Sequence, residues 1–124
     1  MATILIIDDD NQLRSVLRVA LERLGHDVLE AFDGIQGINV FKQQPVDLVL
    51  CDIVMPEKEG LETISDMRRQ DADVKIIAMS GGMRGGVFDF LPMAKTLGAA
   101  RILQKPFDVR TLTSLVEDLL QLCK

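Results

Sequence analysis

Hydrophobic and polar positions alternate in two rhythms along this chain. Thr3 to Ile7 is a continuous β-branched and apolar run, which suits a strand buried on both faces. It stops at Asp8, Asp9 and Asp10. Leu13, Leu17, Ala20, Leu21 and Leu24 then recur at helical spacing, with Asp10 or Asn11 as the cap and Gly25 as the stop. The alternation continues to the end of the chain. Asp27 to Ala31 predicts a second strand, and Ile35, Ile38 and Phe41 mark a second helix face between the Asp33-Gly34 turn and Pro45. Asp47 to Cys51 predicts a third strand, cut off at Asp52 with Pro56 close behind, and Leu61, Ile64 and Met67 a third helix. Val74 to Met79 predicts a fourth strand that ends at Ser80. Val87 to Leu97 predicts a fourth helix, in which Pro92 is tolerated if the helix starts near Leu91. Arg101 to Gln104 predicts a short, less apolar fifth strand at a sheet edge. Asp108 then caps a last helix carrying Leu112, Leu115, Val116, Leu119 and Leu120.

Strand and helix thus alternate five times, with no internal repeat, linker or low-complexity segment, so residues 1–124 read as one domain. The pattern predicts an α/β fold: a doubly wound, five-stranded parallel sheet with five helices on its two faces and right-handed crossovers. The first, third and fourth strands are richest in aliphatics and belong in the centre. That favours strand order 2-1-3-4-5.

Composition narrows the function. About half of the 124 residues are hydrophobic, enough for a real core. A formal net charge of −5 makes a poor sequence-independent nucleic-acid binder. Cys51 and Cys123 form no CxxC, and Cys51 reads as a small buried hydrophobe. Without a disulfide pattern or a signal sequence, the expected compartment is the reducing cytoplasm. The run from Ile4 to Ile7 is far too short to span a membrane. His26, directly after Gly25, is expected on a surface loop. Met1 stands directly before the first strand, so removal of sequence at the N-terminus is not expected.

The chemistry sits at the strand ends: Asp8 and Asp9 after the first, Asp52 after the third, Ser80 after the fourth and Lys105 after the fifth. A parallel sheet brings all of these to one rim. The acids fall at the switch point between strands one and three. At ~5 Å and an effective dielectric of about 20, each ionised pair repels by roughly 3 kcal/mol. Either a proton or a cation offsets that repulsion. A hard divalent cation with oxygen ligands, Mg²⁺, is the natural answer. A carboxylate beside a metal and an ammonium group is a plausible nucleophile toward a phosphoryl group. Ser80 and the backbone of Gly81-Gly82 are potential donors to its oxygens.

The segments ILIIDDD, DLVLCDIVMPEKEG, IIAMSGG and QKPF resemble the receiver domain of response regulators in two-component signalling. The resemblance covers essentially the whole chain, and the order and spacing of its motifs are highly specific. It implies a flavodoxin-like receiver fold with Asp52 as phosphoacceptor, supplied by a histidine kinase or a histidine phosphotransfer protein. By the same resemblance Asp8 and Asp9 hold Mg²⁺, with Asp52 and the backbone carbonyl of Val54 completing the site. Ser80 is the hydroxyl switch, Lys105 pairs with the phosphoryl group, and the Lys105-Pro106 bond is cis. The family further implies output to a protein partner through the face of helix four, strand five and helix five. It implies at most weak self-phosphorylation and self-dephosphorylation; on charge and hydrophobic run length, no direct nucleic-acid contact and no membrane insertion are expected.

Two features depart from the family pattern. Ile102 stands where receivers commonly carry Tyr or Phe, and isoleucine has no ring to swing. The segment from Ser80 to Lys105 is long and glycine-rich, which makes Gly81 to Gly86 the expected carrier of a conformational response. Two other classes compete. An aspartyl-nucleophile metal-dependent phosphatase needs Asp-x-Asp, whereas Asp52 is followed by Ile53 and Val54. A flavin or nucleotide binder would meet repelling acids after strand one, and the chain has no Trp or Tyr to stack on a flavin.

Overall fold

The computed structural model describes residues 2–53, 59–80 and 98–121, with residues 59 and 60 described by their backbone alone. Five strands alternate with helices in the order β1 (Thr3–Ile7), α1 (Asn11–Arg23), β2 (Asp27–Ala31), α2 (Gly34–Gln43), β3 (Leu48–Asp52), α3 (Glu59–Gln70), β4 (Lys75–Ser80), β5 (Arg101–Gln104) and α4 (Val109–Gln121). The helix expected over 87–97 lies outside the described residues, as do Val54, the Gly81 to Gly86 loop and Cys123. The sheet is parallel throughout and runs β2-β1-β3-β4-β5, the order that aliphatic content favoured.

Pleating divides the core. Leu5, Ile7, Val49, Cys51, Ile76 and Ala78 point to one face, where Phe41 of α2 and Ile64 and Met67 of α3 cover them. Ile4, Ile6, Leu48, Leu50, Ile77 and Met79 point to the other, against Leu17 and Leu21 of α1 and Leu112, Val116 and Leu119 of α4. Both faces of the central strands are dry, which is why those strands read as unbroken apolar runs. Each large aliphatic side chain buried this way contributes roughly 1.5–3 kcal/mol. β5 is an edge strand, and its Ile102 remains 37% exposed.

Capping follows the sequence closely. Asp10 is the N-cap of α1, accepting from the backbone N–H of Gln12 and Leu13, and Asp33 caps α2 by accepting from Gln36 N–H. Gly25 closes the α1 end with φ +95°.

Three expectations fail. Ile35 is 67% exposed, and the inner stripe of α2 is Gly34, Gly37 and Phe41. At Gly37 a Cβ would collide with Ile7 Cδ1, so the missing side chain lets α2 sit directly on β1. Leu24 is exposed, because α1 has ended before it. His26 is buried rather than on a surface loop. Its Nδ1 accepts Ala2 N–H at 3.2 Å, and its Nε2 lies 2.7 Å from Glu117 Oε2.

Candidate metal centre

Strand register builds the site. Ile7 pairs with Cys51, so the next residues, Asp8 and Asp52, emerge side by side at the carboxyl rim of β1 and β3. Asp52 pairs with Met79, and Ser80 with Gln104, which brings Ser80 and Lys105 to the same rim. The ladders run one bond past the strands: Asp8 N–H donates to Ala31 O (3.1 Å), Ile53 N–H to Met79 O (2.9 Å) and Lys105 N–H to Ser80 O (2.6 Å). The Lys105-Pro106 peptide is cis.

Asp8, Asp9 and Asp52 each offer a carboxylate oxygen, and these oxygens lie within 4.8 Å of one another. Asp8 and Asp52 are buried while Asp9 is exposed, so the cluster opens to solvent on the Asp9 side. Lys105 bridges the two buried acids, its Nζ 2.8 Å from Asp8 Oδ2 and 3.2 Å from Asp52 Oδ2. Burial pulls the Lys105 pKa down. The hydrogen bond to Asp8 and the charges of Asp52 and Asp8 outweigh it, so the net shift is upward and the ammonium is secure.

The donor set fits a hard divalent cation. Three carboxylates against one ammonium leave a formal charge of −2, which a divalent ion matches. Oxygen-only donors select Mg²⁺, Ca²⁺ or Mn²⁺ over softer metals. Cys51, next in chain to Asp52, does not join in. Burial, with the charges of Asp52 and Asp8, pushes its thiol pKa strongly upward, and Sγ donates to Asp52 O at 3.6 Å.

Ser80 is fully buried at the same rim, and among the described residues its Oγ has no hydrogen-bond partner. A buried hydroxyl left without a partner costs about 1–3 kcal/mol, a cost that a ligand oxygen would remove. Thus Asp8, Asp9, Asp52 and Lys105 come together as expected, and Ser80 lies on the same rim. One participant carries no sequence signal. Arg14 donates from Nη1 to the Asp8 carbonyl at 2.6 Å, and nothing in its spacing separates it from a surface arginine.

Comparison with known proteins identifies the family. The family model described as "Response regulator receiver domain" matches residues 4–117. The DNA-binding transcriptional regulator NtrC of Azospirillum brasilense is 37% identical over 94% of this chain, which spans 24% of that protein's length. The response regulator receiver protein CpdR of Brucella abortus is 33% identical, with 97% of this chain and 98% of CpdR covered. Among solved structures, the response regulator TrrA of Thermotoga maritima, a complex with Mg²⁺-BeF, superposes with a TM-score of 0.84 at 28% identity, covering 96% of this chain and 99% of that one. With a family match over nearly the whole length and a relative of equal size at this identity, the chain belongs to the receiver domains of two-component response regulators.

Proposed function

We propose that residues 1–124 act as one receiver unit that takes a phosphoryl group onto Asp52 in a Mg²⁺-dependent transfer from a phosphohistidine, and so switches binding to a downstream protein. The observation that carries this reading is the convergence of Asp8, Asp9 and Asp52 within 4.8 Å, with Lys105 bridging Asp8 and Asp52.

In the transfer, a carboxylate oxygen of Asp52 attacks phosphorus. The P–N bond of the donor breaks, and its electron pair returns to the departing imidazole. Lys105 already touches Asp52 Oδ2 and is placed to offset the negative charge on the incoming phosphoryl oxygens. Asp8, Asp9, Asp52 and the Val54 carbonyl would hold Mg²⁺, which when bound offsets charge on the phosphoryl oxygens. Ser80 Oγ, a buried donor without a partner among the described residues, is suited to one of those oxygens. Catalysis on this reading is positioning plus charge stabilisation, so the unit is a signalling domain whose own activity is at most weak self-phosphorylation and self-dephosphorylation.

The donor is a histidine kinase or a histidine phosphotransfer protein. The output face is the helix expected over 87–97 together with β5 and α4, where Ile102 stands exposed at the sheet edge. The unit itself is assigned no direct nucleic-acid contact. No helix among the described residues is long and apolar enough to cross a membrane; the proposed compartment is the cytoplasm.

Intact mass after acetyl phosphate treatment tests the reading, with and without Mg²⁺, for wild type and Asp52→Asn. One Mg²⁺-dependent phosphoryl adduct on wild type alone is expected. An equal adduct on Asp52→Asn, or none on wild type, overturns it.

A further inference from the structure

Arg14 lies in the first turns of α1, and its side chain is only 13% exposed. All three nitrogens of its guanidinium donate. Nη1 takes the Asp8 carbonyl at 2.6 Å, Nε takes Glu30 Oε1 at 2.9 Å, and Nη2 takes Asn11 Oδ1. Glu30, on β2, is held in turn, its Oε2 2.6 Å from Arg18 Nη1. The Arg18 hydrogen bond, with that of Arg14, outweighs partial burial and keeps the Glu30 carboxyl below its usual range, so this anchor stays charged.

The consequence falls on Asp8, a fully buried residue held at four points. Its N–H goes to Ala31 O, its carbonyl to Arg14, its Oδ1 accepts Asp10 N–H at 2.9 Å, and its Oδ2 accepts Lys105. The carbonyl taken by Arg14 belongs to the peptide that joins Asp8 to Asp9. Asp9 is the exposed member of the acid trio, so the tilt of that peptide sets where its carboxylate points.

We propose that Arg14, anchored by Glu30, is a positioning residue that fixes the Asp8-Asp9 peptide for binding a divalent cation. The proposal rests on reading the three acids as a cation site. Charge and geometry act in opposite directions here, which makes the idea decidable. A guanidinium near the site repels a cation, so if charge were its main influence, removing it would tighten binding. If it positions the peptide, removing it weakens binding.

The test measures cation affinity in wild type, Arg14→Met, Arg14→Lys and Glu30→Gln. Bound Mn²⁺ is quantified by electron paramagnetic resonance, and Mg²⁺ by competition, with circular dichroism confirming that each variant is folded at the working temperature. Outer contacts of this kind are worth about 10-fold or more in metal affinity. We expect about a 10-fold loss for Arg14→Met. Arg14→Lys keeps the charge but cannot serve three acceptors from one fork, so it should also lose affinity. Glu30→Gln should fall between wild type and Arg14→Met. A folded Arg14→Met that binds Mn²⁺ as tightly as wild type, or more tightly, overturns the proposal while leaving the cation site standing. Failure of wild type to bind either ion overturns the cation reading itself, and the role of Arg14 with it.

Discussion

His26 Nε2 meets Glu117 Oε2 at 2.7 Å, joining the entrance of β2 to α4 across 91 residues of chain. Because Nδ1 accepts Ala2 N–H, Nε2 is assigned as the ring nitrogen that donates to Glu117. One ring therefore ties the N-terminal segment, β2 and α4 together.

Replacing His26 with Ala strands the Ala2 N–H and opens a void. The expected loss is about 1–3 kcal/mol of stability, read from urea denaturation. A double-mutant cycle with Glu117→Ala should return a coupling of about 1 kcal/mol. A coupling near zero would assign the loss to packing and the Ala2 hydrogen bond, with no share from Glu117.

Lys105 makes a pH-dependent contribution whose sign follows from its raised pKa. Burial works against the ammonium, but the hydrogen bond to Asp8 and the charges of Asp52 and Asp8 more than offset it. A pKa raised on folding stabilises fully below the unfolded value, about 10.4, and the stabilisation disappears as pH rises through the folded value. Without divalent cation, wild type should therefore exceed Lys105→Met in stability by a constant margin from neutral pH to about pH 10, and the margin should shrink above that. Urea midpoints across a pH series check this; a margin that widens in alkali contradicts it.

Gly37 has no room for a side chain. An added Cβ would strike Ile7 Cδ1 and come within 2.9 Å of its Cγ1. Gly37→Ala should cost about 1–3 kcal/mol through overpacking, despite the better helix propensity of alanine. Ile7 directly precedes Asp8, so the variant should also show weakened Mn²⁺ binding. Unchanged stability would mean that α2 can shift away from β1 freely.

Ser80→Ala should behave unlike most buried polar substitutions. The hydroxyl has no partner among the described residues, so deleting it removes no bond visible there. The unmodified protein should keep its stability or gain up to ~1 kcal/mol. With Mg²⁺ and beryllofluoride as a phosphoryl mimic, the rise in Tm on loading should be smaller than in wild type. An equal rise would remove Ser80 from the proposed site.

The strands and their caps were legible because their causes are local. Five-residue aliphatic runs are what a strand dry on both faces requires, and Asp10 and Asp33 cap the next turn of their own chain. The motif acids and Lys105 were legible too, since parallel strands deliver their carboxyl ends to one rim. Misreadings arose where a distant neighbour decides. Ile35 has helical spacing with Phe41, yet close approach of Gly37 to Ile7 turns that side chain outward. His26 looked like a loop residue because Glu117, its partner, is far along the chain. Arg14 matched no pattern because its target is a backbone carbonyl.

By itself the sequence determined the alternation of strands and helices, the parallel order of the sheet and the residues that gather at its rim, all consequences of periodicity and of where apolar runs stop. Only the tertiary structure decided which of those groups touch. The register between β1, β3 and β4 sets Asp8 beside Asp52, Lys105 fills the space between them, and Arg14 and Glu30 hold the turn from behind. Hydrogen bonds and ion pairs form over about 3 Å, and distances of that order between residues far apart in the chain exist only once the sheet is assembled.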